Sequence, residues 1–403
     1  MKKLLLNTAL ILSTTYVSAA QALHWVALKA PNVLVRSQIA EVIHIDSVVD
    51  DRVYSIVGDD SFKELKERFA HRILDSYKIQ APSSDKVLSI PGTFPAQDEI
   101  YHTYPEMEAL MKSLVSEYPG LCELQVVGKS KSGRNLYAFI VGNQNSSSQG
   151  SFIPSVAYLG AHHAREHLST EVPLLAAQKI LKEYATNKRI KNIVDNRRLI
   201  FIPMVNPDGV MFDIRDGNYH YWRKNHQDGT GDRDGVDLNR NYDQNWARGG
   251  SSSYPASDTY HGPAPFSEPE SKAMKEFVEA TPELRAMISF HTFGELVLYP
   301  WSGSFETVGG ADLEAFKSWG DQMAATNGYT NQQSSALYIS TGDTCDWAYE
   351  AAGVFCFTFE LSPKGQMNGG FYPGADAVQK GLDQNFESIL LLAERALDPY
   401  QKL

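Results

Sequence analysis

Apolar positions along the chain follow two periods, and the change from one to the other marks the elements. Met107, Leu110, Met111, Leu114, Val115 and Tyr118 keep the spacing of one helix face, and Pro119-Gly120 stops the run. A second helix is predicted over 170–184. A last one carries Leu382, Phe386, Ile389, Leu390, Ala393 and Leu397. Between the helices lie short apolar runs rich in β-branched and aromatic residues, at 156–159, 199–205, 287–291 and 354–361. Strands with no polar alternation are buried on both faces, and strands interleaved with helices build a covered, largely parallel sheet. The predicted fold class is α/β, with a mixed, largely parallel central sheet and helices on both faces.

A smaller α+β unit precedes it. Residues 25–28 and 53–57 are strand-like, and Phe62, Leu65, Phe69 and Ile73 share one face of a helix over 61–73. The Pro-, Ser- and Gly-rich stretch at 81–95 is the candidate linker between the units. The run Asn145-Ser146-Ser147-Ser148 reads as a surface loop.

The first twenty residues are expected to be a leader rather than fold. Lys2 and Lys3 precede an apolar stretch over 4–12, and Val17-Ser18-Ala19 offers the small residues of a cleavage site. Asn7, Thr8 and Ser13 interrupt that stretch well short of the ~20 apolar residues a spanning helix needs. Export to the periplasm or the exterior, without membrane insertion, is the expectation. A net charge of −11 argues against nucleic-acid binding through a basic face. Three cysteines, Cys122, Cys345 and Cys356, allow one disulfide at most, exclude a four-cysteine metal site, and each read best as a small buried hydrophobe.

The chemistry starts where the 156–159 run ends. His162-His163-Ala164-Arg165-Glu166-His167 brings imidazoles and a carboxylate together, the ligand types a catalytic zinc takes. Two readings are possible. His163 and Glu166 can both be ligands, completed by a third from elsewhere. Alternatively His163 and His167 are ligands on one helical face, with Glu166 as base. The pentad follows a strand and Gly160, and the better helix start lies near Ser169-Thr170-Glu171, so the first reading is favoured. His162 and His167 then read as satisfied core or surface residues. In covered sheets ligands bind beyond the carboxyl ends of strands, where His291 and Glu360 also stand.

Four further clusters follow in order: Tyr221-Trp222-Arg223-Lys224-Asn225, then 235–241 with Asp237, Asn239 and Arg240, then Asp343-Thr344-Cys345-Asp346-Trp347, then Phe357-Thr358-Phe359-Glu360. With these the chain resembles the zinc metallocarboxypeptidases of the carboxypeptidase A/B (funnelin) family over residues ~98–400, most of all the bacterial carboxypeptidase T branch. The resemblance implies one Zn2+ per chain, bound by His163, Glu166 and His291, with Asp237 holding the outer nitrogen of His163. It implies Glu360 as general base on a zinc-bound water and Arg223 as oxyanion stabiliser. It implies Asn239 and Arg240 as the grip on the substrate's terminal carboxylate, Tyr338 closing over it, and Arg165 one residue further in. Asp343 and Cys345 would line the side-chain pocket, cysteine leaning toward large apolar C-terminal residues and Asp343 admitting basic ones second. Asp343 following Gly342 also fits a turn cap. Phe293 stands where animal enzymes usually carry tyrosine. The acidic loop 228–235 fits a calcium loop poorly and reads as solvated.

The expected organisation is a signal peptide at 1–20, an activation propeptide at 21–95 and a zinc carboxypeptidase domain at 96–403. The expected activity is removal of C-terminal residues from peptides and proteins with a free carboxylate, after trimming by an activating protease. A zinc amidase or deacylase on the same fold is the nearest enzymatic rival, and an inactive binding domain the rival of another class.

Overall fold

The computed structural model describes residues 22–79, 92–143, 153–230 and 235–400. The expected leader at 1–20, the Ser-rich run at 145–148 and most of the candidate linker at 81–95 lie outside these residues, as does the middle of the acidic loop.

The N-terminal unit consists of β1 (Leu23–Lys29), α1 (Val33–Ala40), β2 (Ser47–Val49), β3 (Arg52–Gly58), α2 (Asp59–Phe69) and β4 (Ile73–Ile79). Its four-stranded sheet has the order β2-β3-β1-β4 and is antiparallel throughout. Val26, Leu28, Val53, Val57, Leu65 and Phe69 form its core. The helix expected over 61–73 stops at Phe69, because Ile73 and the residues after it pair with β1. A sheet edge that needs a partner outweighs continued helical spacing.

The large unit runs α3 (Tyr104–Glu117), β5 (Cys122–Lys129), β6 (Asn135–Val141), β7 (Ser155–Leu159), α4 (Leu168–Glu183), α5 (Lys188–Asn196), β8 (Arg198–Ile202) and α6 (Pro207–Asp213). It continues with α7 (Pro269–Glu279), β9 (Leu284–Thr292), β10 (Leu296–Tyr299), α8 (Gly310–Asn327), β11 (Thr330–Gln333), α9 (Thr344–Ala352), β12 (Phe355–Leu361) and α10 (Asp376–Arg395). The eight strands are ordered β11-β10-β12-β9-β7-β8-β6-β5. The central β12, β9, β7 and β8 are mutually parallel, and the β12–β10 and β8–β6 pairs are antiparallel. Phe139, Tyr158, Phe201, Phe290 and Phe357 pack on one face with α4, α8 and α10; Ala157, Ile200, Met287 and Cys356 pack on the other with α7 and α9. Burial on both faces is why the central strands carry no polar alternation. Phe94 is buried against Tyr101 and His167, so residues 92–95 pack with this unit.

The cysteines differ from their sequence reading. Cys122 is a buried free thiol as expected, but Cys345 and Cys356 form a disulfide between the start of α9 and β12. They lie 11 residues apart in sequence, and β12 runs beside α9, which brings their backbones together. Alkylation of the denatured, unreduced protein should therefore label Cys122 alone, with the other two labelled only after reduction. Labelling of Cys345 or Cys356 without reductant would contradict the pairing.

Candidate functional site

The site lies beyond the carboxyl ends of β7, β9 and β12. After β7 the chain turns at Gly160, where a Cβ would drive into the carbonyl oxygens of Ser169 and Pro203. Ala161 follows at φ +48°, a conformation costly for a residue with a Cβ. The pentad 163–167 is a pair of turns, with Glu166 N–H donating to His163 O and Ser169 N–H to Glu166 O, and α4 begins only at Leu168. His167 points elsewhere and bonds Asp213 at 2.8 Å. The helical-pentad arrangement is thereby excluded.

His163 Nδ1 lies 2.9 Å from Glu166 Oε1, and His291 Nδ1 lies 3.0 Å from Glu166 Oε2 and 3.1 Å from His163 Nδ1. All three side chains are buried. Two imidazole nitrogens facing each other and one carboxylate have too few protons to satisfy every approach. A tetrahedral ion with bonds of about 2.1 Å holds such atoms roughly 3.4 Å apart, so the donor set fits zinc. The outer nitrogens are fixed as well. His163 Nε2 faces Asp237 Oδ1 at 3.2 Å, and His291 Nε2 faces Ser289 Oγ at 3.0 Å. Each outer N–H thus has an acceptor, leaving Nδ1 unprotonated for the ion.

Charge is arranged tightly around this centre. Arg223 Nε donates to Asp237 Oδ2 at 2.9 Å. Burial alone would raise Asp237, yet the Arg223 guanidinium and His163 hold it well below the usual carboxylate range. Glu166 is likewise held low against its burial, by His163 and His291. Glu360 pairs in register with His291 across β12 and β9, and burial pushes its carboxyl up to about 8.

The same cleft is lined by Arg223, Asn239, Arg240, Leu298, Tyr338, Asp343 and Thr358. Arg240 is 4% exposed; its Nε and Nη1 donate to the carbonyls of Gly250 and Asn239. Among the described residues no carboxylate lies within ion-pair distance of it. Asp343 has two tasks. Its Oδ1 caps α9, accepting from Cys345 and Asp346 N–H, while its Oδ2 accepts from Asn239 Nδ2 at 3.1 Å. Cys345, expected to present a small thiol to the pocket, instead has its sulfur bonded to Cys356 and packs with the apolar layer of α7 and α9. Arg165 is buried, stacked on Phe371 at 4.2 Å and donating to Tyr221 O at 3.2 Å and Asp258 Oδ2 at 3.4 Å.

Two residues of the N-terminal unit enter the site with no motif to announce them. His44 Nε2 lies 3.3 Å from Arg223 Nη1, and Asp46 Oδ1 pairs with Arg165 Nη2 at 3.1 Å. Burial pushes Asp46 up to about 6 against the pull of Arg165.

The family described as Zinc carboxypeptidase matches residues 107–388. A zinc carboxypeptidase from Saccharothrix mutabilis subsp. capreolus is 34% identical over 307 residues, 74% of this chain and 70% of that one. Carboxypeptidase A2 from Mus musculus is 30% identical over 310 residues, 74% and 71% of the two chains. Among solved structures, carboxypeptidase A from Helicoverpa armigera aligns at a TM-score of 0.74 and 23% identity, covering 94% of this chain and 98% of that one. Thrombin activatable fibrinolysis inhibitor aligns at 0.69 and 21% identity with the same coverage. At those identities the likeness bears on fold alone, and a share of 94% takes in both units.

Asp237→Asn removes the anion behind His163 and should weaken zinc binding by roughly 10–100-fold. Competition with a chelator of known affinity measures it; an unchanged constant would contradict this placement of Asp237.

Proposed function

Because the chain belongs to the zinc carboxypeptidase family, we propose that this cleft removes the C-terminal residue of peptides, and that the N-terminal unit is a propeptide holding it latent. The observation that carries the first part is Arg240: a buried guanidinium with no described carboxylate partner, beside Asn239, in the cleft that holds the ligand set. A buried unpaired cation is costly, and a planar fork aimed into a cleft is matched by a carboxylate from outside. A free chain end supplies that anion.

When held by His163, Glu166 and His291, zinc supplies Lewis acidity, lowering the pKa of water to about 7 and polarising a carbonyl. The chain's own residues do the rest. Glu360, raised by burial, would be returned to its ionised form by the charge of a bound divalent cation, and as a carboxylate it takes a proton from the attacking water and returns it to the leaving amine nitrogen. Arg223, fixed by Asp237, stabilises the charge that grows on the carbonyl oxygen, an effect worth about 3–4 kcal/mol for one such donor. Asn239 and Arg240 orient the terminal carboxylate, Tyr338 covers it, and Arg165 takes the next residue inward. Leu298 and Thr358 give the pocket an uncharged wall, and both oxygens of Asp343 are already engaged. Large apolar C-terminal residues are preferred, basic ones second.

Latency is supported by what the N-terminal unit touches. His44 and Asp46 engage Arg223 and Arg165. Ser37 Oγ accepts from Ile339 N–H at 2.9 Å, Arg36 bonds Ala336 O, and Tyr338 packs on the small unit's core. The cavity left is about 50 Å³, room for a few waters. Substrate requires that unit to leave, and a cut between residues 79 and 92 by another protease would release it. Export through the Lys2-Lys3 leader places the zymogen outside the cytoplasm; among the described residues no helix is long and apolar enough to cross a membrane.

Protein trimmed in that interval should release Phe or Leu fastest from free-acid peptides, Lys and Arg more slowly, and nothing from C-terminal amides. Cleavage of amides at equal rates would favour an amidase, and equal rates for trimmed and full-length forms would remove the inhibitory role. Glu360→Gln should keep zinc and lower kcat by roughly 10²–10⁴-fold. Turnover at the wild-type rate would exclude Glu360 as the base.

A further inference from the structure

His162 stands beside a ligand without being one, and both its ring nitrogens face hydroxyls in a wholly buried setting. Nδ1 lies 3.3 Å from Ser289 Oγ; Nε2 lies 3.1 Å from Thr344 Oγ1 and 3.0 Å from Tyr242 Oη. The ring stacks on His291, centroids 5.7 Å apart and planes 18° from parallel. Ser289 Oγ is the same atom that lies 3.0 Å from His291 Nε2. At the far side, Thr344 Oγ1 donates to Asn239 Oδ1 at 2.8 Å.

Counting protons gives these contacts one direction. With an ion on Nδ1, His291 carries its proton on Nε2 and donates to Ser289 Oγ. The Ser289 hydroxyl then donates to His162 Nδ1. A neutral imidazole accepting at Nδ1 has its proton on Nε2, which donates to the oxygens of Thr344 and Tyr242. The Thr344 hydroxyl donates onward to Asn239 Oδ1, which also accepts the Thr344 backbone N–H at 2.9 Å. With Oδ1 saturated, the Asn239 amide turns its Nδ2 toward Asp343 and the cleft. The opposite tautomer of His162 would aim two N–H donors at Ser289 Oγ and leave that hydroxyl's proton without its imidazole acceptor.

We propose that His162 is a positioning residue that couples the metal ligand His291 to Asn239, through Ser289 on one side and Thr344 on the other. The proposal rests on the reading of Asn239 as part of the carboxylate grip. Its consequence is that the metal site and the chain-end site are set together: disturbing the hydroxyl at Thr344, which touches no ligand, reaches the ion.

The test is zinc affinity of the full-length chain, by chelator competition, for Ser289→Ala, Thr344→Val and Thr344→Ser, with melting of the metal-free proteins as a check on folding. Ser289→Ala should bind zinc about tenfold more weakly, within the range for lost outer contacts of a ligand. Thr344→Val should lose roughly three- to tenfold, because hydrogen bonds in a buried chain polarise one another. Thr344→Ser, which keeps the hydroxyl, should bind as wild type does. Thr344→Val within twofold of wild type, or Thr344→Ser as weak as Thr344→Val, would overturn the coupling. Normal zinc binding by wild type with those results indicts the coupling alone; a wild-type chain that retains no zinc overturns both it and the carboxypeptidase reading.

Discussion

The structure is organised by an electrostatic problem: two imidazole nitrogens and a carboxylate are held within about 3 Å of one another, out of water. Such a cluster fits a shared cation. Parallel topology makes the meeting possible. β7 delivers His163 and Glu166 through a tight turn, β9 delivers His291, and β12 sets Glu360 in register beside it. Everything further out answers the same charge. Asp237 holds His163 from behind and is itself held ionised by Arg223, which thereby acquires a fixed position over the cleft.

Once the ligand set is neutralised, the cleft is left with an excess of guanidinium. Arg223, Arg240 and Arg165 are all nearly inaccessible to water; Arg223 pairs with Asp237 and Arg165 with Asp258, while Arg240 has no carboxylate partner among the described residues. Hunger for an anion makes such a site suited to chain ends. From the N-terminal unit, His44 and Asp46 meet two of these guanidinium groups, Arg223 and Arg165.

The convergence of His163, Glu166 and His291 was legible in the sequence because they stand at or soon after the ends of apolar strands, and that position carries chemical meaning in a covered sheet. The turn before α4 was legible from Gly160, although α4 begins at Leu168, two residues ahead of the expected 170–184 helix. Other features had no such signal. β11 is Thr330-Asn331-Gln332-Gln333, a polar edge strand recognisable only by its partner β10. β4 shares apolar spacing with the helix before it, and only β1 decides between them. The Cys345–Cys356 bond depends on α9 folding back beside β12, a long-range fact that spacing does not report. His44 and Asp46 lie in a segment with no motif, and their importance comes entirely from what they face. Ser289 reads as one more residue of a buried strand and His162 as a satisfied core histidine, and the structure bears out the latter: His162 is buried with hydroxyls at both ring nitrogens.

The most direct measurement is X-ray absorption at the zinc edge of the purified chain. The account predicts a first shell of two imidazole nitrogens and carboxylate or water oxygen at about 2.0–2.2 Å, with the outer-ring scattering of histidine and no sulfur near 2.3 Å. A thiolate shell, a histidine-free oxygen shell, or loss of the imidazole signature failing to follow His291→Ala would contradict it.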